Sequence, residues 1–231
     1  MTDGPTESRW PRLLSLAVHE LRTPQTVVAG YIRMLLRESA GPISDQQRRM
    51  LEEAEKSVAR VSALLAEMSD LAKLEAGSAP FNRSAVDLGT LLEETIASLP
   101  PLLDREVTIT LQNQVGVATV EGDPVRLKAA VASLLAALRR ELVSATELVV
   151  RLRRGTADAG PVFWMSVADP TKLEAVDGGQ PSELGAFDEW RGGCGLSLPL
   201  ARQVLTAHGG CLWSPRHDPR AGAIAMLPER R

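Results

Sequence analysis

Residues 15–24 of the chain read Ser-Leu-Ala-Val-His-Glu-Leu-Arg-Thr-Pro, and this stretch lies inside the first of two long helical patterns. His19 follows a residue of the apolar stripe, so on a helix it lies about 100° further round, at the flank and open to solvent. Glu20 can orient the imidazole or accept its proton, and Thr23 lies one turn further on the same face. Pro24 removes a backbone donor inside the helix at a cost of about 3 kcal/mol, which a purely structural helix is expected to avoid. The stretch therefore indicates a reactive histidine on an exposed helix face.

Two heptad patterns around this stretch predict a helical hairpin over residues 13–76. Gly41-Pro42 separates the two helices, and Ser44 or Asp45 can cap the second one. A hairpin with so long a seam has too little core alone, so a homodimer that forms a four-helix bundle is the natural completion. The alternative is a hairpin that packs on the C-terminal half of its own chain. The seam residues of the two helices are Leu14, Val18, Leu21, Val28, Ile32 and Leu35, and then Leu51, Ala54, Val58, Val61, Leu65, Met68 and Ala72.

The chain changes character after Gly77. Residues 85–99 are predicted to be helical, and strands are expected at 106–112, 118–121, 147–153, 162–168, near 212 and at 224–227. Asp123-Pro124 predicts the start of a helix that runs to about residue 142, and residues 198–208 predict another. Strands interleaved with helices indicate an α/β sandwich, most simply one sheet with helices on one face. The fold class is therefore α+β, with a short tail at 1–12, the hairpin at 13–76, a linker at 77–84 and the sandwich at 85–231.

Composition excludes several classes of protein. The chain has 231 residues, a net charge of −3 and only 3% aromatic residues, which argues against nucleic acid as a partner. No apolar run approaches the ~18 residues of a membrane span, and the first twelve residues contain no signal-peptide core. Two cysteines in a chain of this length fit a reducing compartment. We therefore expect a cytoplasmic protein.

The sequence His-Glu-Leu-Arg-Thr-Pro resembles the H box of two-component sensor histidine kinases of the HisKA type, and the resemblance covers nearly the whole chain. The end of the second helix, Asp-Leu-Ala-Lys-Leu-Glu-Ala-Gly at 70–77, is also typical of that family. The resemblance implies that His19 is the phosphoacceptor and Glu20 its acid/base partner. It implies that Thr23 positions water when such proteins dephosphorylate their response regulator.

The second half resembles the Bergerat-type ATP-binding domain of the same family. Residues 122–127 resemble the opening of the N-box helix, 187–190 the F box and 193–198 the second glycine-rich box. The resemblance implies ATP and Mg²⁺ as cofactors. It assigns Asp169 to adenine, Arg140 to phosphate, and Gly193 and Gly195 to the second glycine-rich box. No residue of the chain is assigned to a metal.

The chain departs from the family pattern at several of these positions. Ala137 stands where the family has the asparagine that holds Mg²⁺, and a methyl group cannot ligate a cation that requires oxygen. The first glycine box reads Asp-Pro-Thr-Lys-Leu at 169–173, so both of its glycines are absent. Ser197 replaces the last glycine of the second box. These departures predict a nucleotide site that is degenerate.

Three functions fit this sequence. The first is an active histidine kinase. The second is a relative that binds no ATP itself and exchanges phosphoryl groups between His19 and a response-regulator aspartate, or dephosphorylates that regulator through Thr23. The third is a dimeric docking module with no enzymatic role, and the intact H box argues against it. A receiver domain is the expected partner in the first two, together with a separate sensor or kinase that supplies the input.

Overall fold

The computed structural model describes residues 9–178, 184–191, 195–220 and 222–230. Contacts between residues divide the chain into two units, Met1–Ala79 and Pro80–Arg231.

The first unit is a hairpin of two long helices, α1 (Arg9–Leu36) and α2 (Asp45–Glu75). The predicted hairpin is present, and α1 begins four residues before the predicted start. Ser44 caps α2 with a capping box, in which its hydroxyl accepts from the backbone N–H of Gln47 and the Gln47 side chain accepts from the backbone N–H of Ser44. Pro24 lies inside α1 without ending it.

The second unit contains four helices and eight strands among its described residues. In chain order they are β1 (Ser84–Asp87), α3 (Leu88–Ser98), β2 (Thr108–Asn113), β3 (Thr119–Gly122), α4 (Pro124–Glu141), β4 (Glu147–Ala157), β5 (Gly160–Ala168), α5 (Leu173–Asp177), β6 (Leu184–Ala186), α6 (Ser197–Ala207), β7 (Cys211–Pro215) and β8 (Gly222–Pro228). Six strands form one sheet in the order β2-β4-β5-β8-β7-β6, in which β2 and β4 are parallel and the other pairs are antiparallel. β1 and β3 form a separate antiparallel pair.

Three helices, α3, α4 and α6, cover one face of the large sheet. Apolar side chains of the sheet such as Phe163 and Leu227 meet Leu92, Val131 and Leu205 of these helices around a small internal cavity. The short helix α5 packs on the opposite face, where its apolar residues join a core cluster with β4, β5 and β8. The expectation that all helices lie on one face is therefore wrong for α5.

Two aspartates decide where helices of the second unit begin. The Asp123 carboxylate accepts from the backbone N–H groups of Val125 and Arg126 at the start of α4, at 3.1 Å each, as the Asp-Pro pair predicts. The Asp87 carboxylate accepts from the N–H of Thr90 and from the N–H of Ala118, the residue before β3. Residues 85–87 are therefore strand rather than the predicted helix, because the chain must remain extended up to its cap at Asp87.

Candidate functional site

His19 lies on the solvent side of an unbroken helix. Its side chain is 77% exposed and that of Glu20 is 72% exposed. Nδ1 of His19 lies 3.4 Å from Oε1 of Glu20, a long contact that can orient the ring without holding it rigidly. When the proton sits on Nδ1 beside the carboxylate, Nε2 keeps its lone pair. The arrangement therefore presents one nucleophilic nitrogen to solvent.

The next turn of α1 carries the other predicted residues of this site. Thr23 is exposed one turn beyond His19, as predicted. After Pro24, the Gln25 side chain donates from Nε2 to the hydroxyl of Ser62 on α2 at 2.5 Å. This hydrogen bond joins the two helices close to the histidine.

Gln25 was not among the predicted residues, although the sequence contains a signal for it. The apolar seam of α1 leaves a gap of seven residues between Leu21 and Val28, and Gln25 occupies the heptad position inside that gap. A polar residue at a seam position points to a partner on the facing helix. In the structure that partner is Ser62, together with the carbonyl of Val58 at 3.4 Å.

The predicted cofactor residues lie on three separate elements of the second unit. Asp169 follows β5, Arg140 lies in the last turn of α4, and Gly195 precedes α6 with a φ of +63°. Gly193 lies outside the described residues. Ala137 is buried within α4 and supplies no oxygen atom.

The carboxylate of Asp169 is used by its own turn. Its Oδ1 accepts from the backbone N–H of Thr171 at 2.9 Å, from the Thr171 hydroxyl at 2.5 Å and from the N–H of Lys172 at 3.2 Å. These hydrogen bonds fix the turn that leads from β5 into α5. The turn therefore occupies Oδ1, whereas the described hydrogen bonds give Oδ2 of the same carboxylate no donor.

Arg191 forms a buried ion pair with Glu141 at the end of α4. Its Nε lies 2.9 Å from each carboxylate oxygen, and Nη2 also contacts Oε2. Nη1 donates to the Ser214 hydroxyl at 3.2 Å and to the carbonyl of Gly222 at 3.1 Å. The side chains are 1% and 11% exposed, so Arg191 is held to α4, β7 and β8 by contacts inside the unit. Sequence reasoning missed this pair because its members are 50 residues apart.

His208 is buried where β3, α4 and α6 meet. Its Nε2 accepts from the backbone N–H of Asp123 at 2.9 Å, and its Nδ1 lies 2.7 Å from the carbonyl of Val204. Both ring nitrogens are satisfied when the ring is neutral, and burial lowers the pKa of His208. Within the described residues no three His, Cys, Asp or Glu side chains gather as a metal site.

The chain is similar to known proteins along most of its length. Residues 11–77 match the family described as the His Kinase A (phospho-acceptor) domain. The chain is 28% identical over 202 residues to the circadian input-output histidine kinase CikA of Synechococcus elongatus, covering 85% of this chain and 27% of CikA. It is 28% identical over 207 residues to the cell-division control histidine kinase PdhS of Brucella ovis, covering 82% of this chain and 20% of PdhS. The chain thus spans only about a fifth to a quarter of the length of these relatives.

Two solved structures share the fold. The structure of full-length ShkA in complex with AMPPNP superposes with a TM-score of 0.68 at 22% identity, over 95% of this chain and 46% of that one. The Acinetobacter baumannii histidine kinase AdeS superposes with a TM-score of 0.53 at 16% identity, over 92% of this chain and 98% of that one. In the part of this chain that the structure describes, no helix is long and apolar enough to cross a membrane. The two N-terminal helices and the mixed α/β domain confirm the predicted fold class, residues 11–77 match the His Kinase A (phospho-acceptor) domain, and the chain as a whole is similar to histidine kinases.

Proposed function

We propose that His19 exchanges a phosphoryl group with an aspartate of a response-regulator receiver domain, without ATP bound to this chain. The observation that carries the proposal is the exposure of the imidazole, 77% on an unbroken helix with Glu20 beside Nδ1. Phosphoryl transfer needs the attacking and leaving atoms in line with phosphorus. An exposed ring on a helix flank leaves room for a partner to approach in that direction.

The chemistry follows from the two ring nitrogens of His19. Nε2 attacks the phosphorus of an aspartyl phosphate, an N–P bond forms, and the P–O bond to the regulator breaks and leaves a free carboxylate. The proton on Nδ1 remains beside Glu20, whose negative charge stabilises the ring while it is phosphorylated. The same steps in reverse return the group to a regulator.

Dephosphorylation of the regulator is a second candidate function. Thr23 supports it, because its exposed hydroxyl lies one turn from His19 on the same face of α1. A hydroxyl there can hold a water molecule against an aspartyl phosphate that has docked near the histidine. This reaction also needs no nucleotide.

The residues of the second unit fit Mg-ATP poorly, which argues against the alternative of a fully active kinase. The side chain of Ala137 offers no oxygen to Mg²⁺, and one oxygen of the Asp169 carboxylate is engaged by its own turn. ShkA has been solved with AMPPNP, so the same fold can hold a nucleotide analogue when its residues allow. We assign no step in this chain to ATP or to Mg²⁺.

The partners of the proposed reaction include a second copy of the chain. The seam residues Leu21, Val28, Leu35 and Val61 are between 37% and 52% exposed in the single chain. Burying such a stripe against an identical hairpin yields the four-helix bundle that the heptads predict. A receiver domain is the other partner, and a separate sensor or kinase supplies the input. The cytoplasm is the proposed location.

The test uses the full chain and a panel of receiver domains labelled with radioactive acetyl phosphate. We expect wild-type protein to take up the label, His19→Ala to take up none, and His217→Ala, a change at another exposed histidine, to match wild type. Mg-ATP labelled at the γ-position should label wild type weakly or not at all. Label retained by His19→Ala would refute the assignment of His19, whereas strong ATP labelling that His19→Ala abolishes would establish the active kinase instead.

A further inference from the structure

A groove that none of the functions above uses lies where the segment between α3 and β2 wraps around the end of α4. Its volume is about 640 Å³, and a second groove of about 440 Å³ adjoins it. The wall of the larger groove combines apolar side chains, among them Ile96, Leu99 and Val107, with the arginines Arg105 and Arg139. Volumes of this size are typical of small-molecule sites.

Arg139 is a buried cation with little to balance it. The residue is 6% exposed, and its Nη2 donates to the carbonyl of Pro100 at 2.7 Å. Its Nε is buried and has no acceptor among the described residues. Burial, followed by the charge of neighbouring Arg140, lowers the pKa of the Arg139 guanidinium. A buried charge without a counter-charge is costly, and an anion from outside would offset that cost.

Arg105 has a structural role that Arg139 lacks. Its guanidinium donates to the carbonyls of Leu142, Arg139 and Arg140, with the last at 2.6 Å, and so caps the C-terminal turn of α4. Its Nε is nevertheless also buried without an acceptor. Capping accounts for Arg105, but it leaves the charge of Arg139 without a carboxylate beside it.

The acidic residues of the same segment do not supply that carboxylate. Asp104 and Glu106 lie on the groove wall, and neither forms a salt bridge with Arg105 or Arg139 in the described structure. The positive charge of Arg139 therefore has no carboxylate within salt-bridge distance among the described residues. A ligand with a single negative charge would balance it.

We propose that this groove binds a small carboxylate that carries an apolar chain. The carboxylate pairs with the guanidinium of Arg139, because a planar guanidinium matches the two oxygens of a carboxylate. The chain lies along Ile96, Leu99 and Val107, where it removes apolar surface from water. The site does not depend on phosphoryl chemistry at His19, so each proposal can fail without the other.

Isothermal titration calorimetry on the full chain tests the ligand class with three probes. We expect octanoate to bind at least about tenfold more tightly than octan-1-ol, which lacks the charge, and than acetate, which lacks the chain. Octan-1-ol binding as tightly as octanoate would overturn the role of the arginine. Acetate binding as tightly would overturn the role of the apolar wall, and no heat from octanoate would overturn the site.

Two pairs of variants place the binding in this groove. Val107→Glu adds a negative charge to the wall and should weaken octanoate binding at least about tenfold relative to Val107→Gln, which has the same size without the charge. Arg139→Gln should weaken it similarly, with Arg154→Gln, an exposed arginine of β4 that pairs with Glu229 outside the groove, as the control. If Arg139→Gln fails to fold, the Val107 pair decides. Equal affinities in Val107→Glu and Val107→Gln would overturn the proposal, and both should still take up phosphate at His19.

Discussion

Replacement of Arg191 by methionine should destabilise the second unit far more than the loss of a surface ion pair. The substitution leaves the Glu141 carboxylate, only 11% exposed, without its counter-charge. It also takes a donor from the Ser214 hydroxyl and from the carbonyl of Gly222. Removal of one partner of a buried pair costs about 3–5 kcal/mol, and we expect a loss of that size in the free energy of unfolding.

The matched control is Arg202→Met. Arg202 pairs with Glu189 at 3.0 Å, but the two side chains are 45% and 23% exposed, so its loss should cost about 0–1 kcal/mol. The double variant Arg191→Met/Glu141→Leu leaves no buried charge and should recover most of the stability lost in Arg191→Met. Urea unfolding followed by far-ultraviolet circular dichroism measures all four proteins.

Two results would refute this reasoning. One is an Arg191→Met protein no less stable than Arg202→Met, and the other is a double variant as unstable as the single one. A third measurement tests whether the second unit binds ATP, because a ligand that binds only the folded protein raises its free energy of unfolding by RT ln(1 + [L]/Kd). Mg-ATP should leave the unfolding midpoint of wild type unchanged, and a rise that grows with ATP concentration would contradict the degenerate nucleotide site.

Three further predictions concern stability. Burial lowers the pKa of His208 from its ordinary 6.5, so the unfolded chain takes up this proton at a higher pH than the folded one. The free energy of unfolding should therefore be constant above about pH 6.5 and fall as the pH drops towards the lower folded-state pKa. Urea midpoints between pH 7 and pH 5 should show this fall in wild type and not in His208→Gln. Asp123→Ala removes the cap of α4 and should cost about 1–2 kcal/mol in the same assay at pH 7, whereas a loss below about 0.5 kcal/mol would contradict the capping role. Gln25→Ala breaks the hydrogen bond to Ser62 and should lower the free energy of unfolding of the hairpin by about 0.5–1.5 kcal/mol. Thr26→Ala, on the exposed side of α1, is the control, and an equal effect of the two substitutions would refute a stabilising role of the Gln25–Ser62 hydrogen bond.

The hairpin was predictable because its determinants are local. The heptads set the seam, and the capping box of Ser44 and Gln47 lies within four residues of sequence. The pattern does not predict that Leu21 and Val28 are exposed in the single chain. A heptad shows that a residue packs against another helix, but it does not show whether that helix belongs to the same chain or to a second copy.

In the second unit, the errors occur where distant residues meet. Residues 85–87 continue the apolar period of α3, but they pair with β3 more than thirty residues later, and that pairing cannot be read from a local window. The contacts of β4 with α5 are also absent from any local pattern. In the structure α5 supplies Asp177, which forms salt bridges with Arg151 and Arg153. Burial alone would raise the pKa of Asp177, but hydrogen bonds from Ser166 and Arg153 outweigh it and hold that pKa below its ordinary value.

Asp169 shows why a retained motif residue is weak evidence for a retained ligand. A family resemblance assigns a role to a position, but a carboxylate that follows a strand can also accept hydrogen bonds from the backbone of the next turn, whatever the family. Without the glycines of the motif, Thr171 and Lys172 turn back onto Asp169, and three donors converge on one of its oxygens. The aspartate is then required for the turn into α5 whether or not a base is ever bound. His19 differs in this respect, because its exposed ring contacts Glu20 and stabilises no turn of the chain in the described structure. The proposed function therefore rests on the H box and not on the nucleotide boxes.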